Sequence, residues 1–307
     1  MKNPIGRVGI LAGGPSSERE ISLRSGKAVL DALLQEGVDA IFLDVCGDIC
    51  DIIKKNRIDT AFIALHGRFG EDGTIQKILE DAGIPYTGSG PEASRLALDK
   101  IAAKEALKRC GIPVAKHIVL EKAGADISAA VSLGFPVVIK PQWEGSSIGL
   151  SVVKDKDGLQ DAVVKAFEYG DRLIAEEYID GRELTVGILE DQPLPVIEIV
   201  TRGGTYDYQA KYKDPDTKYL VPAPIDSEAS DKAMELGRRS HTALGCRTFS
   251  RVDMMMDKKG GIFVLEVNTI PGMTQRSLLP KAAKAAGLDF GKLCIKLIEN
   301  ASKRAGK

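Results

Sequence analysis

The sequence predicts an α/β protein built in three lobes. From Val8 onward, short apolar runs alternate with stretches of helical period. The rhythm changes after about residue 95, and near the C-terminus two long apolar runs flank a tight-turn sequence.

Val8 to Ala12 reads as a short buried strand that stops at Gly13-Gly14-Pro15. Ser17 and Glu20 have capping-box spacing, which predicts a helix running to about Gly37. Strands at about Ala40–Val45 and Thr60–Leu65 alternate with helices, so a parallel sheet with covering helices is expected. A helix begins near Ser94, and Phe135–Lys140 is β-rich. The Gly/Ser loop Gly145–Gly149 and a strand at Ser151–Val153 follow it. A helix and a strand at Arg172–Ile179 complete a second α/β unit. Turns at Asp180-Gly181 and Asp191-Gln192, a helix at Ser227–Ala243 and a hairpin after Phe249 make the third. The expected division is 1–96, 97–182 and 183–307, with no internal repeat.

Composition excludes several classes. Hydrophobic residues make up 44% and charged residues 28% of 307, enough for a buried core without disordered tracts. Net charge is -1, so nucleic acid and anionic membrane are not expected partners and charge must act locally. No apolar run approaches the roughly 18 residues of a membrane span, and the start lacks a secretion-signal core. The cytoplasm is the expected location. Five scattered cysteines fit reduced thiols, Cys46 and Cys50 included, and three histidines make a His-based metal site unexpected.

The hairpin is the most informative feature. Lys258-Lys259-Gly260-Gly261 is a tight-turn sequence, and a turn centred between Lys259 and Gly260 sets Asp253 opposite Glu266. Asn268 shares the Glu266 face. Two facing carboxylates in an apolar setting repel unless a cation sits between them, and hard oxygen donors favour Mg2+. A solvated acid pair is the bland alternative. Lys140 at a strand end and Lys100 after Asp99 could snorkel, yet the glycines and serines of the 145–149 loop beside Lys140 suit phosphate oxygens. The loop is not a P-loop, for no GxxxxGK[ST] occurs, and the Gly13-Gly14 turn misses GxGxxG. His66–Gly73 (HGRFGEDG) ends a strand, where open parallel sheets bind ligands; a sharp turn capped by Asp72 would also explain it. Residues 203–219 carry Tyr206, Tyr208, Tyr212 and Tyr219 with Lys211 and Lys213, the character of an active-site lid or of a subunit contact.

HGRFGEDG, EGSSIG, YDYQAKY, RVD and LEVNTIPGMTQRSLLP, in this order through nearly the whole chain, resemble D-alanine–D-alanine ligases of the ATP-grasp superfamily. The resemblance implies an ATP-grasp fold with an N-terminal parallel-sheet domain and a homodimer. It implies ATP between two lobes, with Lys100 and Lys140 on its phosphates and Ser147 and Lys211 beside them. Glu176, Glu177, Tyr178 and Ile179 would hold adenine through backbone hydrogen bonds, and Glu183 the ribose. Asp253, Glu266 and Asn268 would bind two Mg2+ ions, which Mn2+ could replace. Glu18 would hold the ammonium of the first D-alanine, networked with Ser146 and Tyr212, with His66 beside that substrate. Arg251 and the Gly272 amide would stabilise a tetrahedral intermediate, and Ser277 and Leu278 would receive the second carboxylate. Glu177 and Tyr178 stand where the family often has lysine and tryptophan, and Lys77 replaces a small residue. The implied chemistry is an acyl phosphate attacked by a second D-alanine in cell-wall synthesis. D-lactate or D-serine as second substrate, or a catalytically silent ATP-binding regulator, are the alternatives.

Overall fold

The computed structural model describes residues 5–124, 126–201, 214 and 216–305. Tyr206, Tyr208, Lys211, Tyr212 and Lys213 of the expected lid lie outside the described residues.

The first sheet is parallel, in the order β2-β1-β3, from β1 (Val8–Gly13), β2 (Ala40–Val45) and β3 (Thr60–Ile63). Strands β1 and β3 are buried on both faces, as parallel strands covered by helices must be, while the edge strand β2 is partly buried. Helix α1 (Arg19–Gln35) returns the chain across this sheet. The expected capping box does not form: Glu18 is the N-cap and makes no side-chain cap bond. Instead Ser16 Oγ accepts the Glu18 N–H at 3.2 Å and donates to His66 O at 2.6 Å, so the helix entry is fixed by the neighbouring strand end. Ser22 strengthens that link, accepting from Gly13 N at 2.8 Å and donating to Ala64 O at 2.7 Å. Helices α2 (Ile49–Asn56) and α3 (Thr74–Asp81) complete the unit.

Helices α4 (Pro91–Leu98) and α5 (Lys100–Arg109) follow, with Asp99 capping α5 through the N–H groups of Ile101 and Ala102. The second sheet is antiparallel, in the order β4-β7-β5-β6, from β4 (His117–Glu121), β5 (Val137–Pro141), β6 (Ser151–Val153) and β7 (Arg172–Glu177). Helices α6 (Ser128–Val131) and α7 (Leu159–Ala166) connect its strands.

The third sheet begins at β8 (Gly181–Leu189), and its main path is β11-β10-β8-β12-β13. Its other strands are β9 (Gln192–Pro193), β10 (Ile197–Val200), β11 (Lys218–Leu220), β12 (Phe249–Asp257) and β13 (Ile262–Asn268). Helix α8 (Ser227–Ala243) covers one face, burying Ala233 and Leu236 against Val186 and Val252. Helices α9 (Leu278–Ala285) and α10 (Phe290–Ala305) end the chain. Ile10 and Leu33 of the first unit share one apolar core with Phe249, Leu279 and Leu297 of the last. The first and last units are therefore packed together through one core. Among the described residues no helix is long and apolar enough to cross a membrane. Cys46 and Cys50 are both free and exposed.

Candidate active site

A cavity of about 700 Å³ opens where the three units meet. Its walls include Glu18, Ser146, Lys100, Arg251, Glu266 and Asn268. His66, Gly272, Ser277 and Leu278 line it as well.

The hairpin register supports the facing acids by a route the sequence did not reveal. Asp253 pairs with Glu266 and Arg251 with Asn268, but Met254 pairs with Val264, so a β-bulge falls at Leu265. The turn is therefore centred on Lys259. The extra residue also switches which side chains face the core. Ile262 and Val264 are buried before the bulge, Val267 after it. With unbroken alternation, Glu266 and Asn268 would point into the same core as Val264.

Around Asp253 the site is crowded with donors. Arg251, two residues away on the same face, grips it with Nε to Oδ1 at 2.8 Å and Nη2 to Oδ2 at 2.6 Å. Thr185 Oγ1 donates to Oδ1 at 2.6 Å and Asn268 Nδ2 to Oδ2 at 3.0 Å. A cation beside the facing acids was expected, and here the Arg251 guanidinium is one that balances Asp253. Among the described residues no group of three or more His, Cys, Asp or Glu forms a metal cluster. The donor set here is two carboxylates and one amide. It fits Mg2+, which takes few protein ligands and fills its shell with water and phosphate.

Across the cavity Glu18 is 7% exposed and accepts a hydrogen bond from Ser146 Oγ. Its carboxylate lies between two glycines: a Cβ at Gly67 or at Gly145 would come within 2.8 Å of Glu18 Oε2. Gly67 also has φ +70, so it is needed for its backbone as well as its size. Ser146 and Ser147 both have positive φ, an uncommon conformation for serine that turns the loop toward Glu18. Lys100 Nζ donates to Glu144 O and Arg68 reaches Glu144 Oε1 at 3.5 Å, so the loop is held from both sides.

His66 lines the cavity but has no ring nitrogen to spare. Nδ1 lies 3.1 Å from Ile270 O, a pure acceptor, so Nδ1 carries the proton. Nε2 then accepts from Ser25 Oγ at 3.1 Å, and Ser25 Oγ accepts the Met273 N–H at 3.3 Å. Burial drives the His66 pKa from 6.5 to about 4, against the Ile270 hydrogen bond and with help from Arg251. The imidazole is thus a neutral strut between α1 and the segment after β13.

Lys140 does not line the cavity. It is 7% exposed and its Nζ sits 2.8 Å from Glu176 Oε2. Burial would raise the Glu176 carboxyl, but Lys104 and Lys140 override it and hold it down at about 2. The expected adenine-binding backbone is narrowed in the same region. The Glu177 N–H donates to Lys116 O at 2.9 Å and the Tyr178 N–H to Pro136 O at 3.3 Å. Glu176 is inside the β7 ladder, which leaves Ile179 just beyond the strand end. Glu183 lies on β8 two residues from Thr185, hence on the face that carries Asp253. Ser277 is the N-cap of α9, so Leu278 is its first residue and the helix N-terminus opens into the cavity. Tyr212 and Lys211 lie outside the described residues.

Three residues escaped the sequence reading. Thr185 was unremarkable among strand residues, and Lys104 looked like any helix lysine. Glu71 falls inside the HGRFGEDG motif, where Asp72 was the capping candidate; Asp72 does accept from Phe69 N and Thr74 N. Glu71 lines the cavity and accepts the Gly67 N–H at 2.7 Å. Desolvation, with Glu18 and Glu266 nearby, raises its pKa to about 8.

Comparison with known proteins gives a consistent picture. A family model described as D-ala D-ala ligase C-terminus matches residues 106–299, and one described as D-ala D-ala ligase N-terminus matches residues 48–89. The D-alanine–D-alanine ligase of Citrifermentans bemidjiense is 46% identical over 296 residues, 96% of each chain. That of Pseudomonas fluorescens is 48% identical over 302 residues, covering 98% of this chain and 93% of the relative. The crystal structure of the Bacillus anthracis D-alanine–D-alanine ligase complexed with ATP is similar with a TM-score of 0.87. It is 34% identical and covers 98% of this chain and 99% of that one. The VanG D-Ala:D-Ser ligase from Enterococcus faecalis has a TM-score of 0.82 at 31% identity, covering 96% of this chain and 99% of its own.

Proposed function

This chain belongs to the D-alanine–D-alanine ligase family, and we propose that the cavity between its three units joins two D-alanines at the expense of ATP. The observation that carries the assignment of roles is the meeting in one cavity of an anionic pocket at Glu18 with the Arg251, Glu266 and Asn268 cluster. Such a cavity can hold an amino acid by its ammonium while presenting its carboxylate to a phosphoryl donor.

Glu18, held by Ser146, takes the ammonium of the first D-alanine. The carboxylate of that substrate attacks the γ-phosphate of ATP, giving an acyl phosphate and ADP. The second D-alanine docks its carboxylate at Ser277 and the N-terminus of α9, near Leu278. Its free amine attacks the acyl carbon, and phosphate leaves from the tetrahedral intermediate. Arg251 and the Gly272 N–H face the oxyanion, while Lys100 and Lys140 counter phosphate charge, with Ser147 and Lys211 in support. Glu183 takes the ribose. The Ile179 N–H takes adenine, at the end of the linker from Glu176 through Glu177 and Tyr178. Asp253, Glu266 and Asn268 would hold Mg2+, which neutralises the triphosphate when bound. Arg251 has to leave Asp253 for the oxyanion, so one guanidinium serves two anions in turn. Residues 203–219, Tyr212 among them, cover the acyl phosphate against water.

The same reading includes three domains at 1–96, 97–182 and 183–307, a homodimer, a cytoplasmic location and a role in peptidoglycan synthesis. The test is ADP release with ATP and Mg2+, followed by product analysis with D-alanine, D-serine and D-lactate. Release that requires D-alanine, with D-alanyl-D-alanine as the main product, is expected. Release with nucleotide alone would refute the reading, and a mixed product would assign the second site to D-serine or D-lactate.

A further inference from the structure

Beneath the cavity lies a buried charge cluster that the mechanism above uses only in part. Lys104, on α5, is 1% exposed, and its Nζ is 3.0 Å from Glu176 Oε1. Lys140 Nζ takes the other oxygen of the same carboxylate at 2.8 Å. The three side chains are almost sealed from solvent. One carboxylate thus stands between two ammonium groups, and the buried cluster has a net positive charge. The Lys104 contact is ionic and off the hydrogen-bond axis, leaving Nζ and Oε1 with no satisfied hydrogen bond.

The fold explains how the three meet. Lys140 on β5 pairs with Ile174, and Glu176 on β7 pairs with Val138, so the two charged residues are diagonal neighbours on one face. Lys104 lies one helical turn beyond Lys100 on α5, directly below the lysine that lines the cavity. Burial lowers the Lys104 pKa and Lys140 lowers it further, while Glu176 opposes both. An excess buried cation is costly unless an anion completes the site.

We infer that Lys104 is a positioning residue, the standing counter-ion of Glu176 that releases Lys140 to the ATP phosphates. Were Lys140 the sole partner of Glu176, moving it toward phosphate would strand a buried carboxylate, and keeping it in place would neutralise it. With Lys104 present the carboxylate is never bare, and Lys140 can turn to the nucleotide. Lys104 itself touches no substrate. The inference rests on the assignment of Lys140 to phosphate made above.

The experiment measures ADP affinity by calorimetry, KM for ATP and for D-alanine, and thermal stability. Lys104→Met is expected to weaken ADP and raise the ATP KM by about tenfold or more, with the D-alanine KM within about twofold. Lys104→Arg, which keeps the charge, should stay within about threefold of wild type. In a Glu176→Gln background no carboxylate remains to be balanced, so adding Lys104→Met should change ADP affinity by less than about threefold. That pair removes both charges and stays informative if Lys104→Met alone fails to fold. A Lys104→Met protein of lower stability but unaltered ADP affinity would overturn the inference, leaving Lys104 as a mere fastener of α5. A tenfold loss in the Glu176→Gln background would overturn it too, since Lys104 would then act on nucleotide directly. Lys140→Met separates the two levels. If it leaves ADP affinity unchanged, the phosphate role of Lys140 falls and takes the inference with it.

Discussion

The locked imidazole of His66 makes stability depend on pH with a calculable size. Its folded pKa is about 4 against 6.5 for an ordinary histidine, so the unfolded chain binds a proton that the folded one refuses. The stabilisation is full above pH 6.5 and is lost as pH falls toward 4. Each pH unit inside that window is worth about 1.4 kcal/mol, so lowering pH from 7.5 to 5 should remove about 2 kcal/mol through this residue. Other groups titrate over the same range, which the comparison with His66→Gln cancels. Glutamine can still reach toward Ser25 but carries no titrating ring. Urea unfolding of both proteins, followed by far-UV circular dichroism across this pH series, gives the difference. The wild-type advantage should shrink by about 2 kcal/mol between pH 7.5 and 5. An advantage that is constant over the series would refute the tautomer argument, since it requires a His66 that titrates alike folded and unfolded.

Other expectations concern the site directly. Glu266→Gln should abolish Mg2+-dependent turnover while circular dichroism and melting temperature stay near wild type; normal activity at saturating Mg2+ would remove the hairpin from the mechanism. Thr185→Val deletes the 2.6 Å hydrogen bond to Asp253 and should weaken apparent Mg2+ affinity by about 10- to 100-fold in a metal titration of turnover. Gly145→Ala would bring a methyl within 2.8 Å of Glu18 Oε2, the movable end of a side chain. It should raise the D-alanine KM by about tenfold or more with little loss of melting temperature, because the carboxylate can shift but not without leaving the ammonium site.

Much of this site could be read from the chain, and the gaps have physical causes. Strands β1 and β2 and helix α8 follow from apolar period and flanking polar residues, which are local signals. Asp253 facing Glu266 was legible because hairpin pairing needs only a turn centre. The centre itself was displaced, since a bulge has no residue signature in a run such as Val264-Leu265-Glu266. The Ser17 cap failed because Ser16, one residue earlier, finds His66 O across the sheet, a partner fifty positions away. Lys104 and Thr185 matter through what they touch on β7 and β12, and neither contact leaves a trace in local sequence. The engagement of Arg251 by Asp253 was equally hidden, although their spacing of two on one strand makes the contact simple once the strand is known.

The extra residue at Leu265 acts on the hairpin as a frame shift acts on a message. Upstream of it, even-numbered side chains of β13 fill the core; downstream, odd-numbered ones do. The hairpin is thereby divided into two independently editable parts. The tip at Lys258–Gly261 can be recast in sequence without altering how Glu266 and Asn268 are aimed. Removing Leu265 alone would make the pairing regular and leave Val264 inward and Glu266 and Asn268 outward. Keeping Leu265 and flattening the bulge would instead turn both polar side chains into the core, so the extra residue is safe only as long as it stays bulged.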